Sequence, residues 1–220
     1  MKILAVETAG AATGVAVLEG ARVLAQASGE PGRAHGAGLL PAVQRALEEA
    51  GIGLAAIDAF AVSIGPGSFT GLRIGLATVK AFALGTAKPV AAVPTLAAMA
   101  WPAREPGVLL VPRLDAQRGE LYAAVYRGQG DGLVRVVEES VWRPDELEAR
   151  LAGLGPARPV NAAPTAAAVG EIGARILARG QGRAAADVVP RYLRRAEAEA
   201  RRTGQRLEPP AGAGPRGELL

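Results

Sequence analysis

Gly65-Pro66-Gly67-Ser68-Phe69-Thr70-Gly71-Leu72-Arg73-Ile74-Gly75 follows the apolar run 57–64 and opens a helical segment over 68–84. Read outward from this block, the chain goes strand, glycine turn, helix. The strand rests on alternating and β-branched apolar residues, Ile57, Phe60, Val62 and Ile64. Pro66-Gly67 is turn chemistry in which glycine takes φ > 0, and Ser68 stands where a helix N-cap belongs. This arrangement gathers unpaired backbone N–H groups and the positive end of a helix dipole at one spot, a common way to receive an anion.

The nucleotide signatures do not fit the block. A phosphate loop requires G-x-x-x-x-G-K-[ST], yet Gly67 and Gly71 are four apart and Leu72-Arg73 follow. The G-x-G-x-x-G fingerprint fails because Thr70 holds the third glycine position. The same helix offers a different reading: Gly71, Gly75, Thr78, Phe82 and Gly85 recur at three- and four-residue steps. Such a face of small residues lets another helix backbone approach closely, inside the molecule or from a partner.

Composition narrows the classes. The chain has 220 residues, half of them apolar, which is enough for one substantial core or two small ones. No apolar run approaches the roughly 18 residues of a membrane span. Glu7 interrupts the apolar start before a secretory h-region of about 7–15 residues could form, so a cytoplasmic location is expected. The chain has no cysteine and one histidine, His35, which removes thiolate metal sites and leaves hard cations held by carboxylates. Net charge is +4, with seven arginines and four glutamates over 191–220 supplying +3 of it. With Pro209, Pro210 and Pro215, that end reads as a flexible arginine-rich tail over 196–220.

The first half orders as β-β-β-α-β-α-β. Strands fall at 2–6, 14–18 and 22–27, followed by a helix over 39–50 carrying Leu39, Leu40, Val43 and Leu47 at helical spacing. The strand at 57–64, the helix from Ser68 and a strand at 89–93 complete it. Three antiparallel strands followed by right-handed crossovers make a ribonuclease-H-like α/β layer. The second half starts again in the same way: a strand at 108–114, the turn Asp115-Ala116-Gln117-Arg118-Gly119, and a strand at 120–126 repeat strand, acid, turn, strand. A strand at 133–137 and helices near 144 and over 165–178 follow. The expected architecture is therefore a two-lobed actin, sugar-kinase and Hsp70-like fold. Its larger lobe spans 1–103, its smaller lobe 104–195, and its tail 196–220.

Five segments together resemble the bacterial TsaB (YeaZ-type) family. They are residues 3–9, His35 ahead of Leu39-Leu40-Pro41, the 65–75 block, Leu114-Asp115-Ala116 with Gly119-Glu120-Leu121-Tyr122, and Pro190-Arg191-Tyr192-Leu193-Arg194. The resemblance implies a role in making threonylcarbamoyladenosine beside the anticodon of tRNA. In that system threonylcarbamoyl-AMP is formed from threonine, bicarbonate and ATP. The paralogue TsaD transfers the group, and the ATPase TsaE completes the assembly. It implies a non-catalytic partner that pairs with TsaD, forms a homodimer alone, meets tRNA only through the complex, and leaves ATP and magnesium to that complex. Two positions that are metal-binding histidines in TsaD fall on Thr95 and Met99, and Glu7-Thr8 stands where the family usually has Asp-Thr.

Two accounts of the chemistry follow. In the first, the chain is a scaffold whose partner interface is Leu40, Val43, Leu47, Gly71, Gly75, Thr78 and Phe82, with no catalytic residue and no metal site. In the second, it is an ATP-binding phosphotransferase or ATPase whose cleft uses Glu7, Thr8, Ser68 and Asp115 around a magnesium-bound phosphate; in the scaffold account those four line a vestigial cleft. A metallopeptidase lacks the H-E-x-x-H its chemistry requires. His35, in a glycine-rich stretch before a helix, reads as a capping or surface residue.

Overall fold

The computed structural model describes residues 1–29 and 35–193, His35 by its backbone alone. The expected tail at 196–220 and the side chain of His35 lie outside the described residues. Contacts divide the chain into two compact units, Met1–Ala98 with Ala163–Pro190, and Met99–Ala162 joined by the segment from Arg191.

The first unit is built on β1 (Lys2–Glu7), β2 (Gly14–Glu19), β3 (Arg22–Ser28), β4 (Ala59–Ser63) and β5 (Val90–Val93), arranged β3-β2-β1-β4-β5. β1 runs antiparallel to β2 and parallel to β4, and β4 is parallel to β5. The helices α1 (His35–Glu49) and α2 (Phe69–Thr86) are the crossovers into β4 and β5. This is the expected ribonuclease-H-like order.

The two faces of this sheet are packed differently. Leu4, Val6, Val15, Val17, Phe60 and Val62 form one core with Leu39 and Val43 of α1 and Leu76 and Val79 of α2. Burying side chains of this size supplies about 1.5–3 kcal/mol each. The opposite face mixes Ala5, Ala16, Ala59 and Ala61 with Ile3 and Leu18 and receives α5 (Ala166–Ala178), which crosses β1, β2, β4 and β5. Gly173 of α5 lies so close that an added Cβ would stand 2.5 Å from Ala61 Cβ, and one on Gly170 would stand 2.1 Å from Leu18 Cδ1. Both glycines make room for side chains of the sheet, Gly173 for the methyl of Ala61 and Gly170 for the end of Leu18.

The second unit repeats the pattern in shorter form. β6 (Leu109–Asp115), β7 (Leu121–Gln129), β8 (Gly132–Trp142) and β9 (Ala157–Val160) are arranged β8-β7-β6-β9, with β6 antiparallel to β7 and parallel to β9. Leu147 and Leu151 of α4 (Pro144–Ala152) pack on Leu109, Val111, Ala123, Val125 and Val137. Next to Val125, Tyr126 points to the other face and is fully buried, donating to Glu139 Oε1 at 2.9 Å. Arg191 reaches Glu139 Oε2 at 3.1 Å and Glu138 Oε2 at 3.2 Å, which ties the chain's last described segment to this sheet. Two sheets that repeat one strand order make the molecule a duplicated, actin-like α/β protein.

The division by contacts differs from the expected one in two ways, and two short elements were not expected. The helix over 166–178 belongs to the first unit and not to the smaller lobe, and the division between units falls at 98/99 and not at 103/104. β9 went unseen because Ala157-Arg158-Pro159-Val160 has neither alternation nor a β-branched run. It is an edge strand, where proline's missing N–H costs no ladder bond. α3 (Thr95–Ala100) also went unseen, being one short apolar stretch. Among the described residues no helix is long and apolar enough to cross a membrane.

Candidate functional site

The residues singled out in the first unit converge where β1 ends. Glu7 is 2% exposed, and its side chain folds back over its own turn. Oε1 accepts from Ala9 N at 2.5 Å and from Gly10 N at 3.0 Å. Oε2 is buried beside the Ser63 hydroxyl, and Thr8 Oγ1 is buried without a hydrogen-bond partner. Burial pushes the Glu7 carboxyl above its ordinary 4.5, while the neighbouring Ser63 hydroxyl and the Gly10 and Ala9 amides pull it back.

The glycine block closes over this turn. The Gly65–Pro66 bond is cis, and Gly65 N donates to Thr95 Oγ1 at 3.1 Å. Ser68 N donates to Ala9 O at 2.8 Å, and Ser68 Oγ caps α2 by accepting from Gly71 N at 3.1 Å. An added Cβ would stand 2.5 Å from Ala9 O at Gly67, 2.0 Å from Thr8 O at Gly71, and 2.2 Å from Thr8 Oγ1 at Gly75. The turn and helix therefore need those glycines to lie against residues 8 and 9, Gly67 and Gly71 against their backbone and Gly75 against the Thr8 side chain. Thr95 and Met99, the positions matched to TsaD's histidines, are both buried, and Thr95 serves as a hydrogen-bond partner for the cis turn.

This geometry corrects two assignments. Of the expected partner residues, Gly71, Gly75 and Val43 are buried inside the first unit, so they present nothing outward. Phe82 and Leu47 are half-buried against the core, Phe82 with its ring 6.0 Å from that of Phe60. Thr78 is half-buried as well, and Leu40 alone of the seven is well exposed, at 56%. The outward stripe of α2 is instead Thr70, Arg73, Ala77, Ala81 and Leu84, and that of α1 is Ala37, Leu40, Gln44 and Glu48. Both stripes step by three and four residues along their helices, and α1 and α2 pack side by side.

Of the four expected cleft residues, Glu7, Thr8 and Ser68 are brought together, but their polar groups face the protein. Asp115 belongs to the second unit, at the exposed end of β6. Its Oδ1 accepts from Gln117 N at 2.7 Å and its Oδ2 from Gln117 Nε2 at 3.1 Å. Gln117 and Arg118 both hold φ near +60°, and Gly119 a φ of 76°, so the turn is a run of left-handed residues. Among the described residues no three carboxylate, histidine or cysteine side chains cluster to hold a metal ion. Glu7 and Ser68 are already engaged by backbone groups, and this donor set does not fit a magnesium-bound phosphate.

Comparison with known proteins agrees with the fold. A family model described as TsaD, tRNA N6-adenosine threonylcarbamoyltransferase, matches residues 29–163. The chain is 39% identical over 154 residues to the tRNA threonylcarbamoyladenosine biosynthesis protein TsaB of Escherichia coli (strain K12), covering 69% of this chain and 66% of that protein. It is 32% identical over 149 residues to TsaB of Bacillus subtilis (strain 168), covering 67% of this chain and 65% of that protein. The matched stretch thus spans just under two thirds of these relatives. The solved structure of YeaZ from Pseudomonas aeruginosa superposes with a TM-score of 0.75 at 31% identity, over 87% of this chain and 99% of that one.

Proposed function

The chain belongs to the TsaB (YeaZ) branch of the TsaD family, and from that premise we propose that it is a non-catalytic partner of a TsaD-type threonylcarbamoyltransferase acting on tRNA. The observation that carries this reading is the closed turn at the end of β1. Its carboxylate is bound by its own amides, and the turn is roofed by Gly67, Gly71 and Gly75. An ATP-dependent phosphotransferase or ATPase would need Glu7 and Ser68 turned toward substrate, and neither is.

The partner surface on this reading is the outward face of α1 and α2. Ala77 and Ala81 leave the α2 backbone approachable, and Leu40 and Leu84, at 56% and 70% exposed, supply apolar contact. A TsaD-type protein built on the same repeated sheet would offer a like pair of helices, as would a second copy of this chain in TsaD's absence. TsaE and tRNA would meet the complex and not this chain alone.

Ala77→Arg with Ala81→Arg, both on exposed positions, should leave melting unchanged, abolish co-elution with the TsaD protein of the same genome, and remove threonylcarbamoyl transfer to tRNA. Unchanged co-elution and transfer would refute this surface. Transfer that is independent of the chain would refute the role.

A further inference from the structure

The groups at the end of β1 do more than close the turn. Ala9 N and Gly10 N are consecutive amides, and both point at one oxygen, Glu7 Oε1. Successive backbone N–H groups converging on one point make an anion-binding concavity. Here the anion is the chain's own side chain.

The second unit offers a comparison on a turn of different backbone, left-handed at Gln117, Arg118 and Gly119 where residues 8–11 hold no positive φ. Asp115 opens the equivalent turn, and its Oδ1 reaches one backbone amide, that of Gln117, two residues on. Glu7, one methylene longer, reaches the amides two and three residues on with a single oxygen. The longer side chain and the different path of the backbone together bring Glu7 Oε1 to two amides.

There is also room beside it. A cavity of about 170 Å³ lies against Glu7, bordered by Thr13, Gly14, Gln26, Ser28 and Thr165. Gly14 leaves the flank of Glu7 uncovered, since an added Cβ there would stand 3.8 Å from Glu7 Cβ and 3.4 Å from Ala166 Cβ. Its polar border is made by the hydroxyl residues Thr13, Ser28 and Thr165 and by Gln26, on the side of Glu7 away from the residues of the nest. The charged residue that borders it is Glu7.

We propose that Glu7 is a built-in occupant of an oxyanion site: its carboxylate fills the nest made by the Ala9 and Gly10 amides, keeps phosphate-class anions out, and when removed leaves a site that binds them. The site needs no partner protein, so it stands or falls apart from the α1–α2 surface.

The test uses the full chain with Glu7→Ala and Glu7→Gln, and inorganic phosphate and formate as probes, against chloride at matched ionic strength. Wild type should show no melting shift and no calorimetric binding with either probe. Glu7→Ala should melt lower, recover with formate and with phosphate, and bind phosphate at least about tenfold more tightly than wild type, the scale of two charge-assisted hydrogen bonds regained. Glu7→Gln keeps an oxygen that accepts from both amides and should not respond. Phosphate binding to wild type as strong as to Glu7→Ala would overturn the proposal, as would a folded Glu7→Ala that binds neither probe. If Glu7→Ala does not fold in chloride, its refolding yield decides: an increase with formate supports the proposal and no increase overturns it.

Discussion

The two acid turns begin alike and end in opposite conditions. At Glu7 the carboxylate is buried and holds two amides, and its turn lies under the 67–75 segment through three glycines that fit against residues 8 and 9. At Asp115 the carboxylate is exposed and braces one residue, while a Cβ added at Gly119 would meet nothing within 4 Å. The difference teaches that strand, acid, turn, strand sets a backbone path and leaves the acid's role open. That role is decided by what packs on the turn. A helix start with glycines at positions 67, 71 and 75 converts the first turn into a structural joint. At the second, Asp115, Gln117, Arg118 and Gly119 are exposed.

The largest effect should come from breaking that joint. Gly71→Ala places a methyl 2.0 Å from the Thr8 carbonyl oxygen, and backbone cannot step aside as a side chain can; a loss of about 3 kcal/mol or more is expected in urea unfolding. Gly119→Ala, at the corresponding open turn, should cost about 1–2 kcal/mol, from its left-handed φ alone. Equal losses at the two positions would erase the contrast.

The second unit keeps its buried charge elsewhere, in Glu139 between Tyr126 and Arg191. Glu139→Gln leaves Arg191 without one of its two carboxylates. A loss of about 1–2 kcal/mol is expected at neutral pH, kept small because the Arg191 side chain is 26% exposed and holds Glu138 as well.

A smaller and pH-dependent effect should appear at Glu7. Its folded-state value is raised, so the contribution of the neutral form is fully present below about pH 4.5 and is lost as pH rises through the folded value. The stability of wild type relative to Glu7→Gln should therefore fall as pH rises above that point, measured by urea unfolding across the range. A relative stability that rises with pH would mean that the carboxylate is favoured by folding. The smallest effect is expected from Asp115→Ala, within about 0.5 kcal/mol, as for exposed residues away from the core.

Much of this architecture could be read from the sequence, because the strands and helices of the first half carry clean periodicity and their order admits few topologies. The glycine spacing on α2 correctly announced a close approach but not its direction. The surface approached is Thr8, some sixty residues upstream, and spacing within one helix is the same for an inner and an outer face. Likewise the pattern of α5 is helical wherever it docks. The signal that places it is complementarity, with Gly170 and Gly173 set against Leu18 and Ala61. For Glu7 the residue type suggested a ligand for metal or phosphate. Only its reach, two amides from one oxygen, distinguishes an acid that binds substrate from one that occupies its own turn.

The most direct test is amide hydrogen exchange and chemical shift at Ala9 and Gly10 in the wild-type chain, with and without millimolar magnesium-ATP. The account requires both amide protons to be strongly protected, with resonances that nucleotide leaves unmoved. Rapid exchange at both, or shifts that saturate with magnesium-ATP, would show an open phosphate turn and contradict it.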